Sequence, residues 1–184
     1  MECSLDQALQ GTLAVLTKVR AKDLDRPTPC ASWDVRALVK HFVGTARWWA
    51  ATVSGDGEVT EADYTAGDFV AAYEESIRTA VTAFGGNGVL AKTIRLPFGE
   101  FPGIVLLNLA TMEQFTHGWD LARAIGRPVD LDPGLATGLL SQARLAISDA
   151  YRGPDGQALF GPAREAPAGA GAADQLAAFL GRVV

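Results

Sequence analysis

The chain holds only two histidines, His41 and His117, and each falls in the middle of a segment with helical periodicity. At about 100° per residue, Glu113 and His117 stand one turn apart on a single stripe, which Asp120 shares with Leu106, Leu109 and Ala110. In the earlier segment Asp34, Ala37, Leu38, His41, Thr45 and Trp48 share one face by the same arithmetic. Three ionisable groups therefore interrupt an otherwise apolar, inward-pointing stripe, and burying them unpaired would cost several kcal/mol. A divalent metal satisfies such a set: two imidazoles and one carboxylate form a three-ligand arrangement used by catalytic zinc, with a position left for water or substrate. Facing helices of a bundle commonly build sites of this kind from inward Glu and His side chains. In H-E-x-x-H the Glu lies off the ligand face and acts as a base. Glu113-x-x-x-His117 instead puts the carboxylate on the ligand face itself.

Spacing alone leaves other readings open. The same pair arises as an ordinary helix-stabilising contact, and a mid-helix histidine is often a hydrogen-bonded core residue. Asp120 either accepts from His117 behind the site or bonds Arg123 at the surface. Thr45, one turn after His41, could line the site. Trp33, Trp48, Trp49 and Trp119 read first as core and second as pocket walls. Cys30 precedes a helix whose N-terminus could lower a thiol pKa, yet a small buried residue is its commoner role.

The elements that must carry these residues are mostly helices. Ser4 and Gln7 make a capping box opening a first helix over 5–21, with Leu5, Leu9, Leu13, Leu16 and Val19 at helical spacing. Pro27 and Pro29 break the chain before a second helix, capped by Ser32 and running to Val53. A third helix is expected over 67–84. Residues 90–102 predict a short extended or hairpin excursion, with Pro97 limiting any central-strand reading. The longest helix, over 103–125, carries Glu113 and His117 and is stopped by Gly126 and Pro128. A fifth helix is expected over 133–151, then a loop rich in Ala, Gly and Pro over 162–173, then a short helix over 174–180. The expected architecture is an all-α helical bundle with extra C-terminal helices, forming one domain over residues 1–184.

Composition narrows the function classes. Apolar residues make up 48% of the 184 and charged residues 20%, the balance of a globular protein. The net charge of −5, with no run of Lys or Arg, argues against nucleic acid as a partner. No stretch reaches the ~20 apolar residues of a membrane span, and the opening residues lack the form of a signal peptide. Two cysteines, Cys3 and Cys30, are too few for a disulfide framework, so a cytoplasmic location is expected.

Two segments resemble a known family. Pro27-Thr28-Pro29-Cys30-Ala31-Ser32-Trp33-Asp34-Val35-Arg36-Ala37-Leu38-Val39-Lys40-His41 is similar to the opening signature of the mycothiol-dependent maleylpyruvate isomerase metal-binding domain. Glu113-Gln114-Phe115-Thr116-His117-Gly118-Trp119-Asp120-Leu121-Ala122 resembles that family's second signature, and Leu176-Ala177-Ala178-Phe179-Leu180-Gly181-Arg182 resembles the ending of an uncharacterised actinobacterial subgroup. The wider group is the DinB-like superfamily of four-helix bundles. The resemblance implies that His41, Glu113 and His117 are the three metal ligands. It implies a divalent metal, zinc favoured and nickel the alternative, and a low-molecular-weight thiol, mycothiol, as cosubstrate. The implied activity is a metal-dependent thiol S-transferase or isomerase acting on small electrophiles in detoxification or small-molecule metabolism. The isomerase itself has a further C-terminal domain for which this length leaves no room, so scaffold and metal are implied more directly than the substrate. A metal-containing binding or structural protein is the competing reading, and a homodimer is a permitted assembly.

Overall fold

The computed structural model of the chain describes residues 4–30, 32–56, 62–96, 99–154 and 157–184; Cys3 and Pro97 lie outside them. Among the described residues six α-helices and one hairpin follow in order: α1 (Ser4–Leu16), α2 (Val35–Ser54), α3 (Phe69–Phe84), β1 (Thr93–Leu96), β2 (Gly99–Pro102), α4 (Gly103–Ala124), α5 (Pro133–Ala146) and α6 (Ala172–Phe179).

Local chemistry sets most of the boundaries. Asp34, not Ser32, caps α2, its Oδ1 accepting the Ala37 N–H at 2.8 Å. Gly55 closes that helix at φ 80°, a conformation that costs glycine nothing. Asp68 caps α3 and Asp132 caps α5 in the same way. Ser4 is already helical rather than the cap of α1. That helix also stops at Leu16, short of the expected Ala21. Its final turn tightens as Lys18 and Val19 donate to Val15 and Leu16. Asp23 then takes the Arg20 backbone N–H and the Arg20 Nε, each at 3.1 Å, and holds Arg20 in an extended conformation. Helix α5 likewise ends at Ala146, not Tyr151. Ile147 leaves helical geometry and buries its side chain, and 149–151 forms a separate 3-10 turn.

The packing places α4 at the centre. It lies along α1 and against α2; α2 lies along α3, and α3 returns to α1, closing a ring of four helices. The hairpin pairs Thr93 with Pro102 through Leu96 with Gly99 and leads directly into α4. One apolar cluster fills the ring, with Leu9, Leu16, Leu38, Phe42, Tyr73, Leu106 and Leu121 among its members. A second, built on Trp119, Leu139, Leu176 and Leu180, joins α4 to α5 and α6. Helix α4 is thus buried on nearly all sides from Ala110 to Ala122. Small residues make that possible: a Cβ on Gly118 would meet Thr12 Oγ1 of α1 at 2.2 Å. Among the described residues no helix is long and apolar enough to cross a membrane.

Candidate metal centre

His41 from α2 and Glu113 and His117 from α4 meet across the interface of the two helices. Glu113 Oε1 lies 3.2 Å from His41 Nε2 and 3.9 Å from His117 Nε2. The three donor atoms are all within 4.8 Å of one another. The sequence-predicted ligands therefore come together. Four-coordinate zinc, with bonds of about 2.0–2.1 Å, spaces its ligands by about 3.3 Å, so this nitrogen and oxygen set fits such an ion with small adjustments. His117 is nearly buried, whereas the His41 side chain is 31% exposed, so the cluster sits at the rim of the core rather than at its centre.

Glu113 and His117 are held from behind. Both oxygens of Glu113 are engaged: Oε1 accepts from Thr45 Oγ1 at 2.6 Å, and Oε2 accepts from Trp49 Nε1 at 3.2 Å and Gln114 Nε2 at 3.0 Å. Thr45 thus fixes the glutamate rather than simply lining a pocket. Trp49, one residue beyond the face assigned to Trp48, makes the indole contact, while Trp48 packs on the Trp49 ring at 4.7 Å. Burial alone would raise the Glu113 pKa, but the His41 hydrogen bond and the two histidines' charges outweigh it and leave the carboxyl below its usual range. Trp33 stands against both imidazoles, its ring 4.3 Å from that of His41 and 5.7 Å from that of His117.

Gln114 ties the site to all four helices of the ring. Its Nε2 shares its two protons among Glu113 Oε2, the Phe42 carbonyl at 3.1 Å and Thr45 Oγ1 of α2 at 3.2 Å, its Oε1 accepts from Tyr73 of α3 at 2.7 Å, and its backbone carbonyl accepts from Thr12 of α1 at 2.9 Å. Sequence reasoning missed it. The available signal was an amide in the middle of the longest helix, directly after Glu113.

Asp120 resolves in favour of His117. Its Oδ2 is 3.0 Å from His117 Nδ1, and since an ionised carboxylate only accepts, Nδ1 carries the proton and Nε2 faces Glu113. Arg123 does not pair with it; its guanidinium lies over the Trp119 ring instead. The cation beside Asp120 is Arg182, with Nε 3.2 Å from Oδ1 and Nη2 3.0 Å from Oδ2. Burial would raise the Asp120 pKa, but the charge of Arg182 and the His117 hydrogen bond bring it down to about 2. Cys30 completes this group, its Sγ 3.2 Å from Asp120 Oδ2 and 3.1 Å from Arg182 Nη2. Burial and the Asp120 charge push its thiol well up, so Cys30 stays protonated. Cys30, His117 and Asp120 also cluster within ligand distance, but Arg182 already supplies the positive charge there.

The class that emerges is a helical protein with a histidine, histidine and glutamate cluster between two facing helices. Residues 5–122 match the mycothiol maleylpyruvate isomerase N-terminal domain, and the chain belongs to that family. It is also 39% identical over 182 residues to uncharacterised proteins from two strains of Mycobacterium tuberculosis, covering 97% of this chain and 95% of each relative. No solved structure matches it.

Proposed function

We propose that the chain is one DinB-like four-helix unit, residues 1–184, that holds a divalent metal, zinc favoured, on His41, Glu113 and His117 and transfers a small thiol to electrophilic molecules. The observation that carries this reading is the convergence of three donor atoms at the rim of the core, one of them on the partly exposed His41. Three protein donors are what catalytic zinc sites use, whereas structural sites close the shell with a fourth. A bound ion of this kind supplies charge that lowers a thiol pKa and holds the thiolate.

The remaining work falls to the chain. Thr45, Trp49 and Gln114 occupy Glu113 so that Oε1 alone faces the histidines. Asp120 keeps the His117 proton on Nδ1. Trp33 limits access over both imidazole rings and offers an apolar wall to a substrate. Cys30 points at Asp120 and Arg182 and is protonated, so the attacking sulfur belongs to a cosubstrate. The name of the family suggests mycothiol for that role, and the cytoplasm is the setting we propose for it.

The test compares conjugation rates of holo, chelated and His117→Ala protein with mycothiol and other thiols across a panel of electrophiles. The reading expects a rate that needs the metal and His117 and survives Cys30→Ser. Equal rates in the three preparations would leave the ion a bracing or binding role.

A further inference from the structure

The residue that holds Asp120 comes from the other end of the chain, outside the span that matches the family domain. All three guanidinium nitrogens of Arg182 are engaged. Nε and Nη2 take the two oxygens of Asp120, Nη2 also reaches Cys30 Sγ, and Nη1 donates to the Leu180 carbonyl at 3.2 Å. The Asp120 side chain is wholly buried and that of Arg182 is only 14% exposed. A forked pair of this type fixes the plane of the carboxylate, not merely its charge.

The fold delivers Arg182 to this place through a defined turn. Helix α6 ends with Gly181 N–H donating to Ala178 and Arg182 N–H donating to Ala177. Gly181 sits at φ 99°, and a Cβ there would lie 2.6 Å from Gly161 Cα, so both the conformation and the close crossing require glycine. Leu176 and Leu180 anchor the same turn in the second apolar cluster.

We propose that Arg182 is a positioning residue for His117: the C-terminal turn orients Asp120, Asp120 fixes the imidazole, and metal affinity therefore depends on the docked end of the chain. This rests on the metal reading above. Asp120 Oδ2 faces three groups at once, His117 Nδ1, Cys30 Sγ and Arg182 Nη2. Removing the fork frees the carboxylate to turn toward Cys30 or away from both, and the His117 tautomer is then no longer imposed. Partners behind a metal ligand typically change affinity by about 10–100-fold when lost.

The experiment uses the full chain in a Cys3→Ser background, which leaves Cys30 as the single thiol. Zinc affinity is measured by competition with a chromophoric chelator for the parent, Arg182→Ala and Arg182→Lys, with helix content followed by circular dichroism. The His117 tautomer is read in metal-free protein from the ring nitrogen shifts, which only two histidines make easy to assign. Cys30 accessibility is read with an aromatic disulfide. We expect Arg182→Ala to bind zinc about 10–100-fold more weakly, lose the single Nδ1–H form and expose Cys30. Free guanidinium, far below denaturing concentrations, should restore part of the affinity. Arg182→Lys keeps the charge without the fork and should fall between the two. Unchanged affinity and tautomer in Arg182→Ala, with Cys30 newly reactive, would reduce the turn to a cover and overturn the inference while leaving the metal site standing. Should Arg182→Ala fail to fold, parent-like affinity in Arg182→Lys overturns it equally. A parent that binds no zinc overturns the metal reading, and this inference with it.

Discussion

Thr45 Oγ1 donates to Glu113 Oε1 at 2.6 Å across the α2–α4 interface, although the two residues are 68 apart in the chain. The hydroxyl selects which glutamate oxygen faces the histidines. Thr45→Val keeps the shape and removes the donor, so zinc affinity should fall by about tenfold with little change in thermal stability. Isothermal titration of zinc into both proteins checks this; unchanged affinity would show that Trp49 and Gln114 alone hold Glu113.

The three proposed ligands should show a steeper pattern. His41→Ala and His117→Ala are each expected to abolish stoichiometric metal binding, and Glu113→Gln to weaken it. Metal content after dialysis against limiting zinc is the measurement. Full occupancy in the double variant His41→Ala/His117→Ala would place the ion elsewhere.

Tyr73 tests the polar knot beneath the site. Its buried hydroxyl donates to Gln114 Oε1 at 2.7 Å, and Tyr73→Phe leaves that acceptor unpaired inside the core. The expected loss is about 1–3 kcal/mol in denaturant unfolding. A neutral result would mean that water replaces the hydroxyl.

Gly118 tests a close approach of α1 and α4. A Cβ there would stand 2.2 Å from Thr12 Oγ1 and 3.3 Å from Leu131 Cδ1. Thr12 can yield only by giving up its bond to the Gln114 carbonyl. Gly118→Ala should therefore destabilise by about 1–3 kcal/mol despite the better helix propensity of alanine. A raised melting temperature would show that the two helices part at no cost.

Asp23 supplies a pH signature remote from the centre. Hydrogen bonds from Arg20 lower its pKa below the ordinary carboxylate value, against the opposing effect of burial. A depressed folded-state pKa contributes stability above the unfolded value of about 3.9 and loses it as pH falls through the folded value. The urea midpoint of the parent should thus exceed that of Asp23→Asn near pH 6. The gap should close progressively below about pH 4. A gap that persists at pH 2 would assign it to geometry instead of charge.

What was legible in the sequence was whatever depends on neighbours a few residues away. Helical spacing located α2, α3 and α4 closely, and the i to i+4 relation put Glu113 and His117 on one stripe. The hairpin over 90–102 and the stop at Gly126 were equally local. Boundaries failed where a side chain competed with the helix, as Asp23 does after α1, or where burial redirected the chain, as at Ile147.

The partners of the site were a different matter. Periodicity put Trp48 on the His41 face but left Trp48 and Trp49 alike as core or pocket wall; that Trp49 reaches Glu113 depends on the crossing of α2 and α4 and not on one wheel alone. Asp120 had a neighbour at i+3, Arg123, and a distant one, Arg182, 62 residues on. Only the docking of α6 against α4 decides between them. The residue types of the cluster and the stripe they share were legible in the chain, since those follow from covalent spacing and helix geometry. What stands behind Glu113 and His117 came only with the packing of the helices, because a buried charge takes the partner that packing brings to it.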